Sequence, residues 1–241
     1  MSRDELYTRI RVADQRITDL KKDIDLFCEE QRPRVVISRE GSAVTTSLPS
    51  PQSVPVEWRV NIGEIAHVLR SALNHLVWLL VLENGNKPNR RNGFPIFRPM
   101  FGEELDLDRM LKGVSEGHKR DILAFNHDWQ ANLFPLWHLQ ALSNIDKHRY
   151  TPRVVTNIVG LRDDYWERQR ESLEQDFGFP EIKREDVVIQ VLFIAENGAF
   201  AKEWEPRGEV VYNLRECAAA VKGVADYVLF GIPVSWPFVR Q

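Results

Sequence analysis

Apolar side chains at Leu6, Ile10, Ala13, Ile17, Leu20, Ile24 and Phe27 recur at alternating spacings of four and three, the a/d seam of a helix packed as in a coiled coil. Arginine, aspartate and lysine fill the positions between. This first helix therefore needs a long partner, within the chain or across a dimer. Arg32-Pro33 ends it, because a residue before proline is pushed out of helical backbone. Arg34 to Leu48 then reads as two short strands, Val35 to Ile37 and Ala43 to Leu48, around Glu40-Gly41. Beyond the proline-rich link Pro51 to Pro55, a second long helix runs from Glu57 to Glu83 and stops at Asn84-Gly85-Asn86, a strong turn signal.

Lys87 to Gly102 has no regular period and predicts a surface-crossing loop pinned by Phe94 to Phe97. Shorter helices follow at Glu103 to Lys112 and Ser115 to Phe125, then a longer one from Phe134 to about Arg149, closed by Pro152. Arg153 to Val159 and Val187 to Ala195 are β-branched and apolar enough for strands, and the charged stretch Arg162 to Phe177 between them predicts an exposed helix. The last helix, from about Glu209 to Phe230, carries Val210, Leu214, Cys217, Val221, Val224 and Val228 near helical spacing, with Gly231 and Pro233 ending it. The pattern predicts one α+β domain over residues 1–241. It is mainly a bundle of four long helices (1–32, 56–84, 132–150, 208–230) plus short ones, with a small antiparallel β-sheet drawn from 34–48 and 153–195.

A composition of 43% apolar and 28% charged residues suits one substantial core. The charged opening Met1 to Leu6 offers no secretory signal, and the longest apolar run, Leu76 to Leu82, falls well short of the ~20 residues a membrane span needs. A cytoplasmic location without a membrane partner is the expectation. Cys28 and Cys217 are far apart and read as reduced, packed thiols. The net charge of −3 means that a polyanion must find a local patch. Candidates are Arg90-Arg91 with Arg98, Lys119-Arg120, and Lys147-His148-Arg149 with Arg153, each of which also reads as solvated surface.

The chemistry concentrates on the second helix. At about 100° per residue, Glu64, His67, Arg70, Ser71, Asn74 and His75 fall within an arc of roughly 140°, and apolar side chains from Ile65 to Val77 fill the rest. A solvated face is usually built from lysine and glutamate, whereas two histidines, an arginine, an asparagine and a serine are the groups of a site. Trp78, Val81 and Leu82 continue the same sector, which predicts a helix end buried all round and a partly covered stripe whose groups need partners or a ligand. A second constellation closes the helix from Phe134: Asn144 and His148 share a face and Asp146 points elsewhere. It is either a set of charges suited to a helix C-terminus or a second contributor to the same cleft. His118 and His127 read as surface, and His138 as a hydrogen-bonded core or rim residue. No glycine-rich phosphate loop, Gly-x-Ser-x-Gly elbow or zinc spacing occurs.

Arg70-Ser71-Ala72-Leu73-Asn74-His75 has the form R-x4-H and resembles the signature of the HEPN superfamily. Its members are small helical-bundle proteins that commonly dimerise, and many are metal-independent ribonucleases of toxin, phage-defence and RNA-processing systems. The text from Ile62 to Leu76, with Leu142 to Arg149, also resembles a family of bacterial and phage proteins without an assigned activity. The resemblance implies an endoribonuclease with Arg70 and His75 as the catalytic pair, Ser71 as the polar companion of the arginine, no cofactor, a homodimer, and a protein partner such as an antitoxin. The chemistry also follows from the residues. A histidine of ordinary pKa near ~6.5 can take the proton of a ribose 2′-hydroxyl, and a guanidinium can hold the phosphorane through two hydrogen bonds. The two residues lie about 140° apart on an ideal helix, so they converge only if Arg70 reaches round or a symmetry mate completes the site.

Two other readings compete. Glu64-x-x-His67 places a carboxylate and an imidazole one turn apart, and His75, His148 or Asp146 could complete a metal site. Alternatively the chain is a non-catalytic dimeric bundle or binding module whose stripe is a buried specificity network.

Overall fold

Helix α1 (Arg3–Glu30) buries its seam up to the last turn: Leu6, Ile10, Ala13, Ile17, Leu20 and Ile24 are each 6% exposed or less, and Phe27 is half-buried against the core. A computed structural model describes residues 2–30, 36–40, 43–47, 54–96, 106–128, 134–147, 154–174, 187–193 and 208–233. The partner that the seam requires is α2 (Val56–Glu83), running antiparallel to it. Three contacts fix the register: Arg3 Nε to Glu83 at 2.9 Å, Arg16 Nη1 to Glu64 at 2.7 Å, and Phe27 edge-on against Trp58 with ring centroids 5.1 Å apart.

α5 (Phe134–Lys147) and α7 (Val210–Phe230) complete the bundle. α1 and α5 each pack against both α2 and α7, which also pack against each other. The seam of α1 is thus filled inside the chain and is not left free for a dimer. Burying a leucine or isoleucine contributes about 1.5–3 kcal/mol each, so this seam dominates the docking of α1. Polar ties are added at the edges. Tyr7 donates to Asp226 at 2.7 Å, and burial together with that carboxylate raises the phenol's pKa. The Cys217 thiol donates to the Pro135 carbonyl at 3.0 Å. Both cysteines are reduced thiols, Cys217 buried and Cys28 half-buried.

α2 is long and apolar enough to cross a membrane, yet 56% of its most apolar window is buried among the other helices. That is the setting of a core helix. Its C-terminal end is less enclosed than the apolar text predicts: Val81 is buried, but Leu82 is 43% exposed. The bundle packs against one side of the Leu82 turn and leaves the other to solvent.

The strands are short. β1 (Val36–Glu40) and β2 (Ala43–Ser47) pair antiparallel with Val36 opposite Ser47. β3 (Val154–Leu161) pairs antiparallel with β4 (Val187–Phe193), with a register shift between Ile158 and Gly160. β5 (Gly208–Glu209), too short to show a period, pairs with Leu192 and Phe193 and leads straight into α7. Val154, Val191 and Phe193 join the bundle core. α6 (Asp163–Glu174) spans the connection, and over residues 163–171 it is exposed apart from Tyr165 and two half-buried positions, Arg168 and Gln169.

The segment after α2 departs from expectation. Of the helix expected over Glu103 to Lys112, the described part is the single turn α3 (Leu107–Met110). Asp106 caps it by accepting from Arg109 N at 3.2 Å, and Gly113 follows with φ +87°. An L side chain there is strained and would also meet Val81 Cγ1 at 3.1 Å. α4 (Glu116–Asp128) then begins under a Ser115 cap. Residues 97–105 and 148–153 lie outside the described set, and with them Arg98, His148, Arg149 and Arg153.

Candidate functional site

The polar stripe of α2 divides into two rows with different neighbours. Arg70, Asn74 and Trp78, spaced four apart on one line along the helix, all bind the backbone of residues 92–94. Arg70 Nη2 donates to the Phe94 carbonyl at 2.9 Å, Asn74 Oδ1 accepts the Phe94 N–H at 3.1 Å, and Trp78 Nε1 donates to the Asn92 carbonyl at 3.3 Å. The approach is close: a Cβ on Gly93 would sit 3.2 Å from Asn74 Oδ1. Phe94 and Ile96 are buried below the clamp, so the aromatic pin expected of this loop is present at its described positions.

Arg70 is enclosed. Its Nη1 is buried without a hydrogen-bond partner, and burial pushes its pKa down to about 10. It remains a cation at neutral pH, held by one carbonyl.

The second row faces α1. Ser71 Oγ receives a long contact from Arg9 Nη1 at 3.5 Å. His75, one turn further on, is half-buried, with its Nδ1 buried and without a partner. Burial lowers its pKa first, the Arg9 charge lowers it further, and Glu5 opposes both. The imidazole is therefore neutral at pH 7. Glu64 is exposed and ion-paired with Arg16, and His67 is exposed. The stripe runs from open surface at Glu64 and His67 to half-buried positions from Arg70 onward.

The structure thus brings Ser71 and His75 to one seam with Arg9, and turns Arg70 and Asn74 to another neighbour. Of the expected pair, Arg70 is bonded to the Phe94 carbonyl and His75 Nδ1 has no hydrogen-bond partner, so no hydrogen bond joins that nitrogen to Arg70. For the metal alternative, no three His, Cys, Asp or Glu side chains cluster closely enough to share an ion among the described residues, and Glu64 is already committed to Arg16.

Of the second constellation, Asn144 lies on α5 and accepts from Gln140 Nε2 at 3.1 Å. Asp146 belongs to α5, but its side chain and the whole of His148 lie outside the described set. His118 is half-buried against Ser115 Oγ at 3.1 Å rather than free on the surface, and His138 is half-buried with a partner. In the Lys119-Arg120 patch, Lys119 is paired with Glu116 at 2.7 Å.

Two residues of consequence carried no sequence signal. Arg9 looks like any charge on the polar side of a heptad helix. Asn92, one of few buried polar residues at 6% exposure, sits in a loop where asparagine is ordinary. No family model, curated protein or solved structure matches the chain.

Proposed function

We propose that this chain is a metal-independent endoribonuclease working from the α1–α2 seam, with His75 as general acid/base and Arg9 as the cation that holds the phosphate. One observation carries the reading: a neutral, half-exposed imidazole sits beside a guanidinium that reaches the neighbouring Ser71. His75 takes the 2′-hydroxyl proton, the freed oxygen attacks the adjacent phosphorus, the bond from phosphorus to the 5′-oxygen breaks, and that oxygen takes a proton from solvent while the imidazolium returns its own to solvent. The products are a 2′,3′-cyclic phosphate and a 5′-hydroxyl. A cation beside the phosphorane stabilises its added negative charge, and neutral histidine is the competent base. The HEPN resemblance assigns the cationic role to Arg70, whereas enclosure and the Phe94 bond favour Arg9. The reading includes an α+β chain with its paired strands as a small antiparallel addition to the bundle, and RNA as the partner. A homodimer would use a face other than the α1 seam.

The test is incubation of purified protein with RNA, with and without EDTA, beside His75→Ala and Arg9→Ala. Expected are EDTA-resistant cleavage lost in His75→Ala and no cleavage of an all-deoxy oligonucleotide. Equal cleavage by wild type and His75→Ala overturns the assignment, as does none by either.

A second reading is favoured by the clamp itself. Arg70, Asn74 and Trp78 are all spent on backbone, which is the behaviour of a structural network in a non-catalytic dimeric bundle or binding module. In that case His75→Ala changes stability and there is no cleavage to lose.

A further inference from the structure

An open groove of about 870 Å³ lies beyond the C-terminal end of α2, between the loop after that helix and the turn around α3. Lys87, Arg90, Arg91, Arg109 and Lys112 line it, and all five are exposed. We propose that this groove binds the phosphate backbone of RNA, guiding the strand independently of its sequence.

Its charge is concentrated, in a chain whose net charge is −3. Two carboxylates share the lining, Asp106 and Asp108. Asp106 is occupied by its own turn, accepting from Arg109 N at 3.2 Å and lying 3.7 Å from Arg109 Nη1. Lys87, Arg90, Arg91 and Lys112 form no ion pair among the described residues. The negative end of the α2 dipole accounts for a cation within a turn of Glu83, hence for Lys87, and not for the other four.

The walls are fastened rather than loose, and Asn92 is the fastening. Its Oδ1 accepts from Asn89 N at 2.8 Å and Asn89 Nδ2 at 2.9 Å, and its Nδ2 donates to the carbonyls of Met110 at 3.1 Å and Lys112 at 2.9 Å. Asn84 and Asn86 both donate to the Gly113 carbonyl at 3.0 Å. One buried amide thus holds the strip with Arg90 and Arg91 against the strip with Arg109 and Lys112. Like charges held on a rigid frame repel one another and focus a positive field in the groove between them, which a polyanion relieves by displacing counterions. The clamp of Arg70, Asn74 and Trp78 on residues 92–94 supports the same frame, which gives those three residues a positioning role.

The identity of the polyanion as RNA rests on the ribonuclease reading, and the experiment keeps the two apart. Full-length His75→Ala protein is titrated into labelled oligouridylate of about 20 nucleotides across a range of salt, with and without Arg90→Ala/Arg91→Ala. The double substitution should weaken binding at least about tenfold and make the slope of log affinity against log salt shallower by about 1.4, at ~0.7 per single-strand phosphate contact. Arg90→Lys/Arg91→Lys should keep the slope. All these side chains are exposed, so the urea midpoint should not move. Unchanged affinity and slope in the double alanine variant overturn the groove, and so does polyglutamate of equal length binding as tightly as RNA, which points to an acidic protein. Groove-dependent binding without any cleavage by wild type leaves the groove standing and removes the nuclease.

Discussion

Arg70 and Phe94 are joined by a 2.9 Å hydrogen bond from guanidinium Nη2 to the backbone carbonyl, while His75, on the same helix, meets α1 instead. That bond separates the arginine of the R-x4-H text from its histidine and gives the two residues different consequences on mutation. Arg70→Ala removes the bond and empties an enclosed space, and is expected to lower stability by about 1–3 kcal/mol. The kcat per folded molecule should be nearly unchanged, and any loss should fall on KM through the frame that Arg70 supports. Arg9→Ala, at a half-exposed position, should cost less than about 1 kcal/mol and lower cleavage by about 100-fold or more. Urea unfolding beside initial rates separates them, and the reverse pattern returns the catalytic role to Arg70.

Gly93 and Asn74 should be energetically coupled. A Cβ at position 93 meets Asn74 Oδ1 at 3.2 Å, so Gly93→Ala pushes on the acceptor of the Phe94 N–H and is expected to destabilise by about 1–2 kcal/mol. Asn74→Ala leaves that N–H without its partner, at about 1–3 kcal/mol. The double variant should lose less than the sum, because the alanine at 74 vacates the contact. Strict additivity in urea unfolding refutes the contact.

Asn92→Ala strands two carbonyls and the donors of Asn89 at once, with an expected loss of about 2–4 kcal/mol. Amide exchange should quicken around residues 89–93 and 110–113 before the bundle opens. Exchange unchanged in those segments would show that the walls do not depend on this side chain.

His75 sets a pH dependence with a definite sign. Its folded pKa lies below the ordinary value, chiefly through burial, so the unfolded chain takes up the proton first. Stability then falls as pH drops below about 6.5 and levels off beneath the folded pKa. Glu216, raised by burial, acts oppositely at lower pH, its folded state binding a proton earlier than the unfolded chain. His75→Gln should therefore flatten the stability profile between about pH 7 and 5. An identical profile in wild type and variant contradicts the burial of that imidazole.

Glu64 and Arg16 form an exposed pair at 2.7 Å, and Glu64→Gln should change stability by less than about 0.5 kcal/mol. Added zinc should raise the melting temperature no further in wild type than in this variant. Zinc stabilisation that depends on Glu64 would favour the metal reading.

The helices were legible because their causes are local. The four-three seam of α1, the turn at Asn84-Gly85-Asn86 and the apolar spacing of α7 are properties of neighbouring residues, and these three helices, α1, α2 and α7, lie where their periods put them. The separation of polar from apolar faces on α2 was equally visible, since it depends only on 100° per residue. What that polar face touches was not. Its division between α1 and the loop at 92–94 depends on which chain segments, distant in sequence, fold against each row, and periodicity does not encode that. The seam of α1 admitted a partner in the same chain or in another, and tertiary packing chose α2 and α7. Asn92 and Arg9 acquired their positions in the same way: a buried amide and a solvated one are the same letters until two carbonyls eighteen and twenty residues away come within 3.1 Å and 2.9 Å of it.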